Sequence, residues 1–230
     1  EDEGAIFHAL LMSWHEGEMF AENLNNENLF KMGVLFAKLH NFSQNYTPEG
    51  NFTKRKMDNI FAREEKVIIF DEEYRKYYTD KTWNIIQKSY EIIKKTYEKR
   101  YSDPKDIMVI NHDLHQENII IDENGKLCPF DFEDTVWGYP VQDIAMAMKD
   151  LMEEVDPEIF PIYLEEFKKG YTTLREWPES YEGEMDWFMA GRLFWVNNWV
   201  FTYKEQDIES SINWVSAKLE ELMKTGKLRF

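Results

Sequence analysis

Cysteine is almost missing: Cys128 is the single one in 230 residues. No internal disulfide can form, and a lone thiol inside an apolar stretch reads as a reduced core thiol of a cytosolic protein. Missing too is any apolar run near the roughly 20 residues that a membrane span needs. The opening Glu-Asp-Glu-Gly is the opposite of a basic secretory leader, so a cytoplasmic protein with no membrane partner is expected. Because residue 1 is not methionine, the chain reads as a trimmed product or a fragment. Basic residues are short, 27 against 44 acidic, for a net charge of −17. That surface repels phosphate backbones, which argues against nucleic acid as a partner. It suits a cationic or neutral small molecule, and it equally serves solubility alone. Glycine is scarce, and none of the ten stands in a Gly-x-Gly pair.

What is abundant is apolar and aromatic surface, 43% and 16% of residues. This suffices for a sizeable core in one large domain or two small ones. Residues 107–110, 118–121 and 126–130 form short runs rich in apolar and β-branched side chains, the last two separated by Asp122-Glu123-Asn124-Gly125. They read as strands around a turn. Between and after them lie Asn111-His112-Asp113-Leu114-His115-Gln116-Glu117-Asn118 and Asp131-Phe132-Glu133-Asp134, so acidic side chains gather at strand ends. Asp113, Asn118 and Asp131 supply the oxygen donors that hard divalent cations such as magnesium prefer. A carboxylate beside them can take a proton from a hydroxyl. Together these are the parts of phosphoryl transfer.

Helical periodicity runs through 28–40, then a loop over 42–52, and then a charged helical pattern over 58–100 with Trp83, Ile86, Tyr90, Ile93 and Tyr97 on one stripe. Ser102-Asp103-Pro104 stops it. After Pro140 the chain reads as all helix: one capped by Gln142 or Asp143 and ending near Met152, one from Asp156-Pro157 to about Leu174, then 184–203 and 208–223. Residues 5–14 read as a strand entering a turn at His15. His40 reads as a satisfied structural histidine.

The order Asp113-Leu114-x-x-x-Asn118, a strand turn, then Asp131-Phe132-Glu133 resembles the catalytic loop and metal segment of protein kinases. It is more similar still to the aminoglycoside phosphotransferase and choline kinase family, as are Leu35-Phe36-Ala37-Lys38-Leu39-His40 and Gly138-Tyr139-Pro140-Val141-Gln142-Asp143-Ile144-Ala145. The resemblance implies an α/β (α+β), mostly helical chain: the C-terminal lobe of a protein-kinase-like fold with a small catalytic sheet. Residues 1–17 would then be the hinge strand ending an N-terminal lobe, and 18–230 the catalytic and substrate-binding lobe. It implies Asp113 as base, Asn118 and Asp131 as ligands of magnesium, and ATP or GTP as co-substrate. The nucleotide would lie against Met12, Ser13, Trp14, His15, Ile120 and Phe130, where an ordinary edge strand is the other reading of 12–15. Asp143, Asn111 and His112 would support the loop. Asn111 stands where relatives carry histidine, and asparagine can make similar backbone hydrogen bonds.

Candidate substrate contacts are Glu133 and Asp134, equally readable as solvated loop acids, and Trp195 and Trp199, equally readable as core. The family's phosphate-covering hairpin and early-strand lysine have no counterpart, since few residues precede the hinge-like strand and Gly-x-Gly is missing. The chain alone is therefore expected to transfer phosphate poorly, its missing N-terminal lobe being part of the same protein. Two other readings stand beside the small-molecule kinase: an inactive kinase-like binding module, and a hydrolase with a metal on His112, Asp113 and His115.

Overall fold

The computed structural model describes residues 13–47, 55–62 and 66–229. Strand β1 (Glu18–Met19) leads to helix α1 (Asn26–Gln44), and helix α2 (Asp80–Tyr101) to strands β2 (Met108–Ile110), β3 (Ile119–Ile121), β4 (Leu127–Pro129) and β5 (Val136–Gly138). Helices α3 (Pro140–Glu154), α4 (Phe160–Thr172), α5 (Glu184–Tyr203) and α6 (Ile208–Thr225) complete the chain. It is the mostly helical architecture with a small sheet that the sequence led one to expect.

The three β-branched runs become strands, each trimmed to three residues. β3 lies between β1 and β4, antiparallel to both, with Ile120 opposite Met19 on one side and Cys128 on the other. The turn between β3 and β4 closes where the Gly125 N–H donates to the Asp122 carbonyl at 2.9 Å. Gly125 has φ +71°, a left-handed conformation that glycine adopts without steric cost. Because β4 is an edge strand, Cys128 is half-buried rather than a core thiol. β5 was not anticipated: it pairs antiparallel with β2, Val109 opposite Trp137. Of the strand expected over 5–14, only Ser13 and Trp14 fall among the described residues, and neither is in a strand.

Three helix boundaries moved, two of them for identifiable reasons. α1 extends to Gln44, so the start of the expected 42–52 loop is helical. The charged stretch 58–100 is α-helical only from Asp80, where Thr79 and Thr82 exchange backbone-to-hydroxyl bonds of 3.1 and 3.0 Å. This capping box fixes the start of α2. Upstream, the buried Asn198 of α5 takes the backbone groups that a helix would have paired. Its Oδ1 accepts the Ile68 N–H at 2.8 Å, and its amide donates to the Lys66 carbonyl at 3.0 Å. α4 begins at Phe160, because the Asp156 carboxylate accepts the Glu158 N–H at 2.8 Å and holds a turn there instead. At the start of α3 the cap is Gln142, whose Oε1 accepts the Tyr139 N–H at 3.0 Å; Asp143 is used elsewhere.

The core is built by α1 against α4, and by α5 against α2, α3 and α6. Ile86, Ile93 and Tyr97 of the expected α2 stripe are buried in it, and Trp83 and Tyr90 pack on its rim. α1 and α4 meet backbone to backbone: a Cβ on Gly33 would overlap the Phe167 carbonyl, and one on Gly170 the Phe30 carbonyl. Three buried polar side chains then tie α1, α3 and α4 together. His40 places Nε2 3.0 Å from Asp143 Oδ2 and Nδ1 2.9 Å from the Tyr171 hydroxyl. Asp143 Oδ1 accepts the His112 N–H at 2.6 Å, so the same brace reaches the loop after β2. Burial pushes the Tyr171 hydroxyl up to about 12, which keeps it neutral beside His40.

Two substitutions test this packing by chemical denaturation. Glycine to alanine in a helix interior normally adds up to about 1 kcal/mol. Gly33→Ala should instead lose about 1–3 kcal/mol, because the methyl must displace a carbonyl of the neighbouring helix. Asp143→Ala removes the acceptor for a buried N–H and a buried imidazole and should lose roughly 2–5 kcal/mol. Asp143→Asn, which can still accept one of the two bonds, should lose less.

Candidate active site

The site forms along the connection from β2 to β3 and the segment that follows β4. The connection 111–118 turns sharply, with His112 at φ +63°, and the segment after β4 does the same at Asp131, φ +57°. A left-handed non-glycine residue costs about 1–2 kcal/mol, so such turns persist only where neighbours hold them. Here asparagine amides do so. Asn111 Oδ1 accepts the Asp113 N–H at 2.9 Å, and its Nδ2 donates to the Asp131 carbonyl at 3.4 Å. Asn118 Nδ2 donates to the Asp113 carbonyl at 2.8 Å. The Phe130 N–H donates to the Asn118 carbonyl at 3.0 Å, which ends the β3–β4 ladder one residue before Asp131. Through these bonds Asp113, Asn118 and Asp131 are brought to one place, and Asn111 provides the loop contacts that its amide chemistry allows.

Asn111, His112 and Asn118 are buried, Asp113 is half-buried and Asp131 is exposed. Ile120 and Phe130 are half-buried on the adjoining strands. Glu133 is exposed and Asp134 half-buried on the loop after Asp131. Met12 lies outside the described residues, while Ser13, Trp14 and His15 are exposed coil; the Trp14 indole donates to Glu16 Oε1 at 3.0 Å. Of the two tryptophan candidates, Trp195 lines a small cavity with His112, whereas Trp199 is exposed and rests on Tyr203, ring centroids 5.5 Å apart.

Reading the sequence missed Arg192. Its guanidinium lies 3.7 Å from Asp113 Oδ1 and over the Trp195 ring, 4.0 Å from the centroid. The available signal was its isolation: it is the one basic residue in the aromatic-rich α5.

The donor set fits a hard cation. Asn118 commits its amide nitrogen to the Asp113 carbonyl, which leaves its Oδ1 as an oxygen donor, and Asp131, held to the same loop through its backbone carbonyl, carries a carboxylate. Magnesium typically takes only one or two protein oxygens and completes its shell with water and phosphate oxygens. Among the described residues no three of His, Cys, Asp and Glu group as a metal cluster. His115 instead lies 3.9 Å from Glu117, so the trio His112, Asp113 and His115 is not assembled as a zinc site would require.

Comparison with known proteins bears on the family and the fold. The family model described as the phosphotransferase enzyme family matches residues 1–177. Among solved structures, the microcompartment-associated aminopropanol kinase is similar over 90% of this chain and 65% of its own, at 18% identity and TM-score 0.68. Amicoumacin kinase hAmiN is similar over 95% of this chain and 65% of its own, at 14% identity and TM-score 0.67. Choline kinase from Cryptosporidium parvum Iowa II is similar over 93% of this chain and 71% of its own, at 14% identity and TM-score 0.58. The chain thus spans just under two thirds of the length of the first two, and at these identities the likeness is one of fold. No curated protein sequence matches the chain. With the family model covering most of its length, the chain belongs to the phosphotransferase enzyme family that includes aminoglycoside phosphotransferases.

Proposed function

We propose that this chain carries the acceptor- and metal-binding lobe of an ATP- and magnesium-dependent kinase acting on a hydroxyl group of a small molecule. The observation that carries the reading is the set of three side-chain-to-backbone bonds joining Asn111, Asp113, Asn118 and Asp131. Such a set has little use in an inert turn, where one Asx bond suffices.

In this reading the Asp113 carboxylate receives the proton of the acceptor hydroxyl. The hydroxyl oxygen forms its bond to the γ-phosphorus as the bond from phosphorus to the bridging oxygen breaks, and ADP leaves with that electron pair. Asn111 and Asn118 fix the backbone on either side of Asp113. Asn118 Oδ1 and the Asp131 carboxylate hold magnesium, which neutralises charge on the nucleotide phosphates. Ile120 and Phe130 give the base an apolar floor, and residues 12–15 lie along its edge. Residues 18–230 act as one lobe, and an N-terminal lobe of the same protein covers the phosphates. The span of just under two thirds of the aminopropanol kinase supports that division.

The test is transfer from ATP to a panel of amino alcohols, aminoglycosides and sugars by the full-length protein, read as ADP release with phosphorylated product. At least one acceptor should be phosphorylated, and Asp113→Ala should lower kcat by about 10²–10⁴-fold. Nucleotide binding without transfer to any acceptor would favour the kinase-like binding module instead, and undiminished transfer by Asp113→Ala would remove the base from its role.

A further inference from the structure

A cationic side chain from another element stands beside the proposed base. Arg192 projects from α5 so that its guanidinium stands 3.7 Å from Asp113 Oδ1, with only 14% of the side chain exposed. We infer that Arg192 makes this site select an acceptor that carries a carboxylate near its reacting hydroxyl, over one that carries a permanent cation there. The inference rests on the kinase reading of Asp113 given above and names the acceptor class for it.

Position is the first argument. An acceptor hydroxyl giving its proton to Asp113 must come within hydrogen-bond reach of that carboxylate. The atoms two to four bonds away then lie within a few ångströms of the guanidinium. The second argument is rigidity. α5 sits so close to α2 that a Cβ on Gly191 would stand 3.0 Å from the Tyr97 hydroxyl, and the guanidinium lies over the Trp195 ring, 4.0 Å from its centroid. Its planar donors are therefore presented in a fixed orientation, and a planar fork matches a carboxylate by two parallel hydrogen bonds.

The third argument concerns what is missing from the wall. Arg192, Trp195, Tyr97, His112 and Met146 line a cavity of about 20 Å³, and no carboxylate is among its described lining residues. Burial pushes the Tyr97 hydroxyl up, so that wall residue carries no negative charge either. A quaternary ammonium is usually held by an aromatic face or by carboxylates. Here one face of Trp195 is already covered by the guanidinium. The cavity holds about one water and Asp113 is not among its lining residues, so the acceptor meets the guanidinium from outside it.

Three acceptors with comparable reach and different charge separate the possibilities: 4-hydroxybutyrate, 1,4-butanediol and choline, each assayed with ATP and the full-length protein. The expected order of kcat/KM is 4-hydroxybutyrate first and choline last, at least tenfold apart. Arg192→Gln should raise KM for 4-hydroxybutyrate at least tenfold while moving that for butanediol less than threefold, and Arg192→Lys, which keeps charge but not the fork, should fall between. A preference for choline overturns the inference. So does an equal loss on all three acceptors, which would mean that Arg192 only holds Asp113. If none of the three is phosphorylated, the wider panel decides the kinase reading, and calorimetric binding of 4-hydroxybutyrate decides this one. Binding weakened at least tenfold by Arg192→Gln upholds the anion anchor, and equal or undetectable binding ends it.

Discussion

The interaction on which the site depends is the buried carboxylate of Asp143. One oxygen accepts the His112 N–H at 2.6 Å and the other meets His40 Nε2 at 3.0 Å, so a single residue of α3 fixes both the loop after β2 and the end of α1. A carboxylate can do this because it offers two acceptor oxygens and no donor, and the N–H it satisfies is buried. An unpaired N–H there would cost about 1–3 kcal/mol, comparable to the strain of the left-handed His112 that the bond maintains. Fold and site are thus held by one contact, since the helices that make the core are the ones that position Asp143.

From that anchor the geometry passes outward through amides. Asn111 and Asn118 each hold backbone, and neither needs to ionise. Amides suit this position physically. A histidine in place of Asn111 could also contact the backbone, but it would put a titratable group between two acidic residues, whereas the amide offers a donor and an acceptor at every pH. The two amide contacts are consequently indifferent to protonation.

Much of this was legible because it is local. The strands around 107–130, the turn at Gly125, the helix over 184–203 and the cluster of Asp113, Asn118 and Asp131 are written in contiguous residues whose spacing carries meaning. What stayed hidden was decided at long range. Nothing near Ile68 announces that Asn198, 130 positions away, takes its N–H, and so 66–71 read as helix although it is not. β5 was missed because three residues carry no period of their own, and only the partner strand β2 makes them a strand. His40 could be read as structural, but its partners Asp143 and Tyr171 lie 103 and 131 positions away. Arg192 escaped for the same reason: its relation to Asp113 exists only once α5 has packed against α2.

Charge illustrates the limit of composition most sharply. A net charge of −17 points to a cationic ligand, and as a statement about approach it holds, since a negative surface concentrates cations around itself. At physiological salt that field decays over about 8 Å, so most of the surplus carboxylates act on an acceptor only before it arrives. Within the cleft the nearest groups decide, and two charges 4 Å apart at an effective dielectric of 20 interact by about 4 kcal/mol. A guanidinium beside the base therefore outweighs many remote acids in choosing what is held, while the remote acids still govern how quickly ions of each sign come near. Encounter and discrimination are set by different residues, and only the first can be read from a residue count.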